Sequence, residues 1–259
     1  MKIAIIGAGN VACHLAQALA SAGHQVKAIY SRTEQNRTAL ANILPHAHAI
    51  DSLNLQELDI DLVIIAVPDK ALAIVAVQLQ VQPNAIVAHT SGSQPMAALQ
   101  KVAGARTGVF YPLQTFSKSK PVDFKQVPLL LEAQDMQTLS ELEELAQTIS
   151  EQVQTVDSST RKQLHIAAVF ACNFTNHLLG ISRQLLQEAS LPPQLLQPLI
   201  QETVAKAAQQ HPFTVQTGPA ARNDSNVIEE HLHMLEQHPG YQLLYKELTK
   251  SIQEAQLNE

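Results

Sequence analysis

Over the first 155 residues, short and almost continuously apolar runs alternate with stretches of helical periodicity. The runs at 2–6, 25–30, 62–67, 85–89, 107–111 and 128–131 read as strands. Strands apolar on both faces belong to a sheet that is covered on both faces, which predicts parallel strands joined by crossover helices. Helical patterns fit between them at 10–22, 34–43, 70–79, 95–102 and 135–150. This alternation predicts an α/β fold, a doubly wound dinucleotide-binding sheet.

Beyond Val156 the strand signals stop. Asp157-Ser158-Ser159 offers an N-cap, and one helical pattern runs to about residue 187. Pro192-Pro193 punctuates, a second helix runs to about 210, and 211–224 reads as a loop before helices at 226–237 and 241–256. The expected division is therefore a nucleotide-binding domain at 1–156 and an all-α domain at 157–259, the latter of about 100 residues, an ordinary domain size.

Apolar residues make up 46% of the chain and charged residues 15%, enough to bury a sizeable core. Seventeen Lys and Arg against 23 Asp and Glu leave a net charge of −6, and the basic pairs Lys118/Lys120 and Arg161/Lys162 are too short to track a phosphate backbone. Nucleic acid is not an expected partner. Two cysteines, Cys13 and Cys172, fit neither a disulfide framework nor a cysteine metal site. His46/His48 and His231/His233 stand two apart with no carboxylate or cysteine cluster beside them, so no metal is assigned. Gly7 interrupts the first apolar run too early for a signal peptide. The long apolar stretch 165–181 carries Asn173, Asn176 and His177, which argues against a lipid-facing span. A cytoplasmic protein with no membrane partner is expected.

Gly7-Ala8-Gly9-Asn10-Val11-Ala12 is a G-x-G-x-x-A turn directly after the first strand. Its glycines allow a tight turn and close approach of a pyrophosphate, and helix N-terminal amides then face the phosphates. The second strand ends in Tyr30-Ser31-Arg32-Thr33, with no acid to hold two ribose hydroxyls. Arg32 can clamp a 2′-phosphate with the hydroxyls of Ser31 and Thr33 beside it, which favours NADP over NAD; the other reading is a solvated loop with Thr33 as the cap of the next helix. Two more strand ends should line the cofactor cleft: Ala66-Val67-Pro68 and His89-Thr90-Ser91-Gly92-Ser93, the second reading equally as a helix cap.

On the helix after Ser158, 100° steps put Lys162, His165, Val169, Asn173 and Asn176 within roughly one quadrant. The remaining circumference is apolar, which predicts a buried helix carrying a polar stripe. That stripe is either interhelical hydrogen bonding or a dimer seam, or else a substrate pocket facing the nicotinamide. In the loop around Gly218-Pro219, Arg222 either pairs with Asp224 or binds an anionic substrate.

These motifs, with Tyr111-Pro112-Leu113-Gln114-Thr115-Phe116, resemble the bacterial Rossmann-like NADP oxidoreductases, whose C-terminal domain is helical and 6-phosphogluconate-dehydrogenase-like. Pyrroline-5-carboxylate reductase and the β-hydroxyacid dehydrogenases are relatives. The resemblance spans essentially the whole chain and implies NADP binding and a homodimer formed through the helical domain. Two departures stand out. Asn223 occupies a position where glycine is expected, and no asparagine lies one turn after Lys162, where β-hydroxyacid dehydrogenases carry one.

Together these readings imply NADP-dependent reduction of a small C=O or C=N substrate by hydride transfer. His165 would give the proton, Asn173 would orient the substrate, Arg222 would hold its negative end and Ser91 would sit near the reacting carbon. The rival readings are a non-catalytic NADP-binding sensor and an oxidoreductase that uses deazaflavin as hydride partner.

Overall fold

The computed structural model describes residues 1–256. The chain divides into two compact units, Met1–Cys172 and Asn173–Glu259. The expected boundary near 156 corresponds to the end of the sheet, whereas the first unit continues into the helix that follows.

The first unit holds an eight-stranded sheet in the order β3-β2-β1-β4-β5-β6-β7-β8. Its strands are β1 (Lys2–Ile6), β2 (Gln25–Tyr30), β3 (His48–Ile50), β4 (Leu62–Ile65), β5 (Ile86–His89), β6 (Arg106–Pro112), β7 (Leu129–Ala133) and β8 (Val153–Thr155). The helices are α1 (Asn10–Ser21), α2 (Glu34–Asn42), α3 (Asp69–Gln78) and α4 (Met136–Gln147), followed by α5 (Ser158–Ala168). Alternate residues of each central strand face opposite sides. Ile3 and Ile5 pack with Leu15 and Leu19 of α1, while Ala4 and Ile6 pack with Leu72 and Val75 of α3. That double coverage explains the continuously apolar strands.

Three expectations require correction. The sheet is not uniformly parallel: β7 runs antiparallel to β6. The connection from Pro112 to Leu129 holds one short 3₁₀ turn, Phe124–Gln126, and no crossover helix, so the chain re-enters at the edge it left. The expected helix at 95–102 shrinks to a 3₁₀ turn at Met96–Leu99. Two edge strands of three residues, β3 and β8, lack the apolar runs that would have announced them.

The second unit contains α6 (Thr175–Glu188), α7 (Gln197–Gln209), α8 (Ser225–Met234) and α9 (Pro239–Gln256). Among the described residues, none in these four helices is buried. Polar side chains tie α6, α8 and α9 together: Tyr241 donates to Gln184 at 2.6 Å, His238, just before α9, meets Glu188 at 2.9 Å, and His231 meets Tyr245 at 2.9 Å. The buried helix expected after Ser158 is therefore not found. Leu164, Ile166, Leu178 and Leu179 are all exposed. The stretch Ser158–Glu188 is long and apolar enough to cross a membrane by length and composition.

Candidate active site

Gly7 is held between two strands. Its N–H donates to the Tyr30 carbonyl at 2.7 Å, and the neighbouring Ala66 N–H donates to Ile6 at 2.8 Å. Its φ of +125° belongs to glycine, and a Cβ here would lie 2.1 Å from the Ala66 oxygen. A Cβ at Gly9, by contrast, would meet nothing within 4 Å. Helix α1 starts at that open side with no side-chain cap and no acid in its first turn. Its first amides are thus available to an anion, and a pyrophosphate fits the cradle. Ala8 and Ala12 are buried, which lets helix and strand approach closely. The Asn10 side chain donates to the Phe116 carbonyl at 2.9 Å, so Asn10 would serve a ligand through its backbone, as would Val11.

At the end of β2, Arg32 and Thr33 are exposed and Ser31 is half-buried. Thr33 holds the N-cap position of α2, yet its hydroxyl makes no capping bond. Arg37, one turn into α2, donates to the Ser31 carbonyl at 3.2 Å. The Arg37 guanidinium therefore borders this strand end, which carries Arg32 and no carboxylate among 30–33.

The carboxyl end of β5 carries a polar network. His89 is fully buried, and its Nδ1 accepts the Ser91 N–H at 3.1 Å. Burial, reinforced by the charge of Arg161, pushes the His89 pKa down to about 4, so the ring is neutral. Thr90 N–H donates to the Ile65 carbonyl at 3.1 Å, joining this turn to the strand before Ala66, Val67 and Pro68. Ser91 Oγ donates to Asp69 at 2.7 Å and accepts the N–H groups of Ser93 and Gln94; Ser93 also donates to Asp69. The Ser91 hydroxyl is thus committed to holding the turn.

Beside that turn lie Tyr111 of β6 and His165 of α5. Tyr111 Oη stands 3.1 Å from His165 Nδ1, with the rings edge to face. A Cβ on Gly92 would fall 2.6 Å from that same nitrogen and 2.8 Å from the phenol oxygen. Only a glycine lets the pair rest on the turn. Burial raises the Tyr111 pKa, Arg161 opposes that rise and Asp69 adds to it. One helical turn before His165, the fully buried Arg161 donates to Glu132, to the Gln94 carbonyl at 2.7 Å and to Ser158 at 3.1 Å.

Helical geometry also changes along this stretch. Residues Val169–Phe174 form a π segment, so the even 100° progression used to align His165 with Asn173 and Asn176 does not hold. Asn173 and Arg222 belong to the second unit. There Arg222 is exposed, and Asp224 accepts from Val227 N–H at 3.4 Å as the N-cap of α8 instead of pairing with it. Asn223 adopts φ 51°, the left-handed conformation that asparagine tolerates.

Comparison with known proteins adds a lineage to this geometry. Residues 1–114 match a model described as a Rossmann-like domain, and residues 127–252 match a domain of unknown function, DUF2520. A Bacteroides fragilis protein named a "putative NADP oxidoreductase" is 40% identical, with 98% of each chain covered and a TM-score of 0.88. This chain belongs to the Rossmann-like/DUF2520 family. A Thermotoga maritima protein shares its fold at 24% identity, covering 99% of this chain and 98% of the other, with a TM-score of 0.67. A reductive aminase of Aspergillus terreus, solved with NADPH and ethyl-5-oxohexanoate, shares the fold at 15% identity, with 96% and 87% covered and a TM-score of 0.63. No curated protein matches the chain.

Within this Rossmann-like/DUF2520 chain, sequence reasoning missed the roles of Arg37, Asp69, Gly92, Tyr111, Glu132 and Arg161. Tyr111 left one signal, a polar-tipped aromatic at the end of an apolar strand. Arg161 and Glu132 left none, because 29 positions separate them.

Proposed function

We propose that this protein is a cytoplasmic, NADP-dependent oxidoreductase that reduces a small C=O or C=N substrate. The observation that carries the reading is a shared edge: the open glycine turn of β1 and the Tyr111–His165 pair beside β5 both lie at the carboxyl ends of parallel strands. Ligands of such sheets bind there. The 40% identical relative named for NADP oxidoreduction supports the same reading.

The cofactor would be held by Gly7, Ala8, Gly9, Asn10 and Val11 at its pyrophosphate, and by Ala66, Val67 and Pro68 along its length. Ser31, Arg32, Thr33 and Arg37 would surround its 2′-phosphate, favouring NADP over NAD. When bound, the reduced nicotinamide supplies a hydride. His89 and Ser91 shape the turn beneath the reacting carbon, and His165 takes part in protonation. Asn173 would orient the substrate and Arg222 would bind an anionic end of it.

The protein would work as a homodimer, a second copy covering the apolar surface around Leu178 and Leu179. Both cysteines are unpaired, in keeping with a reducing compartment.

The direct test uses NADPH deuterated at C4 with pyruvate, glyoxylate and 1-pyrroline as probes. Deuterium appearing on a probe carbon supports the reading. Tight NADPH binding without transfer to any C=O or C=N probe opposes it.

A further inference from the structure

We propose that Tyr111 is the group that hands the proton to the substrate, and that His165 replaces it. The inference rests on the oxidoreductase reading and divides a role that sequence reasoning gave to His165 alone.

The geometry supplies the order of the relay. His165 Nδ1 meets Tyr111 Oη at 3.1 Å, and Gly92 closes in on that nitrogen, so Nδ1 is turned toward the phenol. Tyr111 belongs to β6, two residues past the register pair His89↔Val109, at the strand ends where the cofactor turn also lies. Around it stand His165 and Arg161 from α5 and Asp69 from α3, with Glu132 of β7 bonded to Arg161. Burial keeps the phenol protonated well above neutrality, while the buried guanidinium of Arg161 favours a transient phenolate. A donor needs both properties.

The balance of the step is simple. As the substrate carbon accepts the hydride, its π pair passes to the oxygen or nitrogen, and that atom takes the Oη proton. The resulting phenolate takes the Nδ1 proton of His165 as Nε2 of the same ring takes one from solvent. A ring flip or solvent exchange restores the Nδ1 proton after product leaves. The two electrons come with the hydride from the reduced nicotinamide, which is the reductant consumed.

Two measurements on the full chain test this. The first follows the His165 ring nitrogens by ¹⁵N NMR with NADP bound, in the native protein and in Tyr111→Phe. A hydrogen-bonded pair changes the Nδ1 resonance when the phenol is removed. An unchanged Nδ1 resonance overturns the relay. The second follows turnover of the deuterated-NADPH probes. Tyr111→Phe should lower kcat by about 10² with NADPH affinity and melting temperature within error of native. His165→Ala should lose less, and imidazole in the buffer should restore it but not Tyr111→Phe. Turnover surviving in Tyr111→Phe overturns the relay alone. A native protein that binds NADPH and reduces no probe overturns the oxidoreductase reading, and the relay falls with it.

Discussion

Arg161, at the start of α5, donates from a fully buried guanidinium to the carboxylate of Glu132 on β7. The pair fixes the helix that carries His165 to the sheet that carries Tyr111. Its Nε finds no acceptor, so the ion pair and the bonds to Gln94 and Ser158 must hold the charge. Removing one partner of a buried pair leaves the other uncompensated. Arg161→Met should therefore destabilise the protein by about 3 kcal/mol in urea denaturation. Adding Glu132→Leu should recover part of that loss. A double variant no more stable than the single one would show that packing, not charge, holds α5.

Cofactor preference should depend on the β2 end. Arg32→Asp should weaken NADPH by well over tenfold in calorimetry, because it removes a cation and adds repulsion. NADH affinity should change by less than about twofold, since that ligand has no 2′-phosphate. Arg37→Ala should act in the same direction more weakly. Equal loss of both cofactors would make Arg32 a structural residue.

His89 gives a pH dependence with a definite sign. Its folded pKa, about 4, lies below the ordinary 6.5, so the unfolded chain binds the extra proton first. Stability is untouched by this group above pH 6.5 and falls as pH drops from 6.5 to 4. From the 2.5-unit difference, the loss approaches about 3 kcal/mol. His89→Asn should flatten the curve over that window while costing stability at pH 7. Parallel curves for native and variant would refute the assignment.

The helical unit should reveal its apolar surface in solution. Leu178 and Leu179 lie exposed on α6, and no described residue of α6 to α9 is buried. Light scattering should report twice the chain mass of 28.2 kDa. Leu178→Glu with Leu179→Glu should shift it to a monomer and lower the melting temperature. A native monomer would remove the second copy as the cover.

Much of the first unit is written locally. The apolar runs that became β1, β2, β4 and β5, the glycine turn at Gly7 and Gly9, and the acid-free end of β2 each depend on neighbouring residues, so pattern alone places them. The helix start at Asp157 was legible for the same reason, since an N-cap acts on amides three positions away. Tertiary structure decided what depends on distant partners. The antiparallel return of β7 follows from a connection without a crossover helix. The helix after Ser158 has the composition of a core element, yet burial is a property of neighbours, and Leu178 and Leu179 stay exposed. Tyr111, Gly92 and His165 lie far apart in sequence and meet because β5, β6 and α5 converge at one sheet edge. Periodicity encodes which way a residue faces, and only packing decides what it faces.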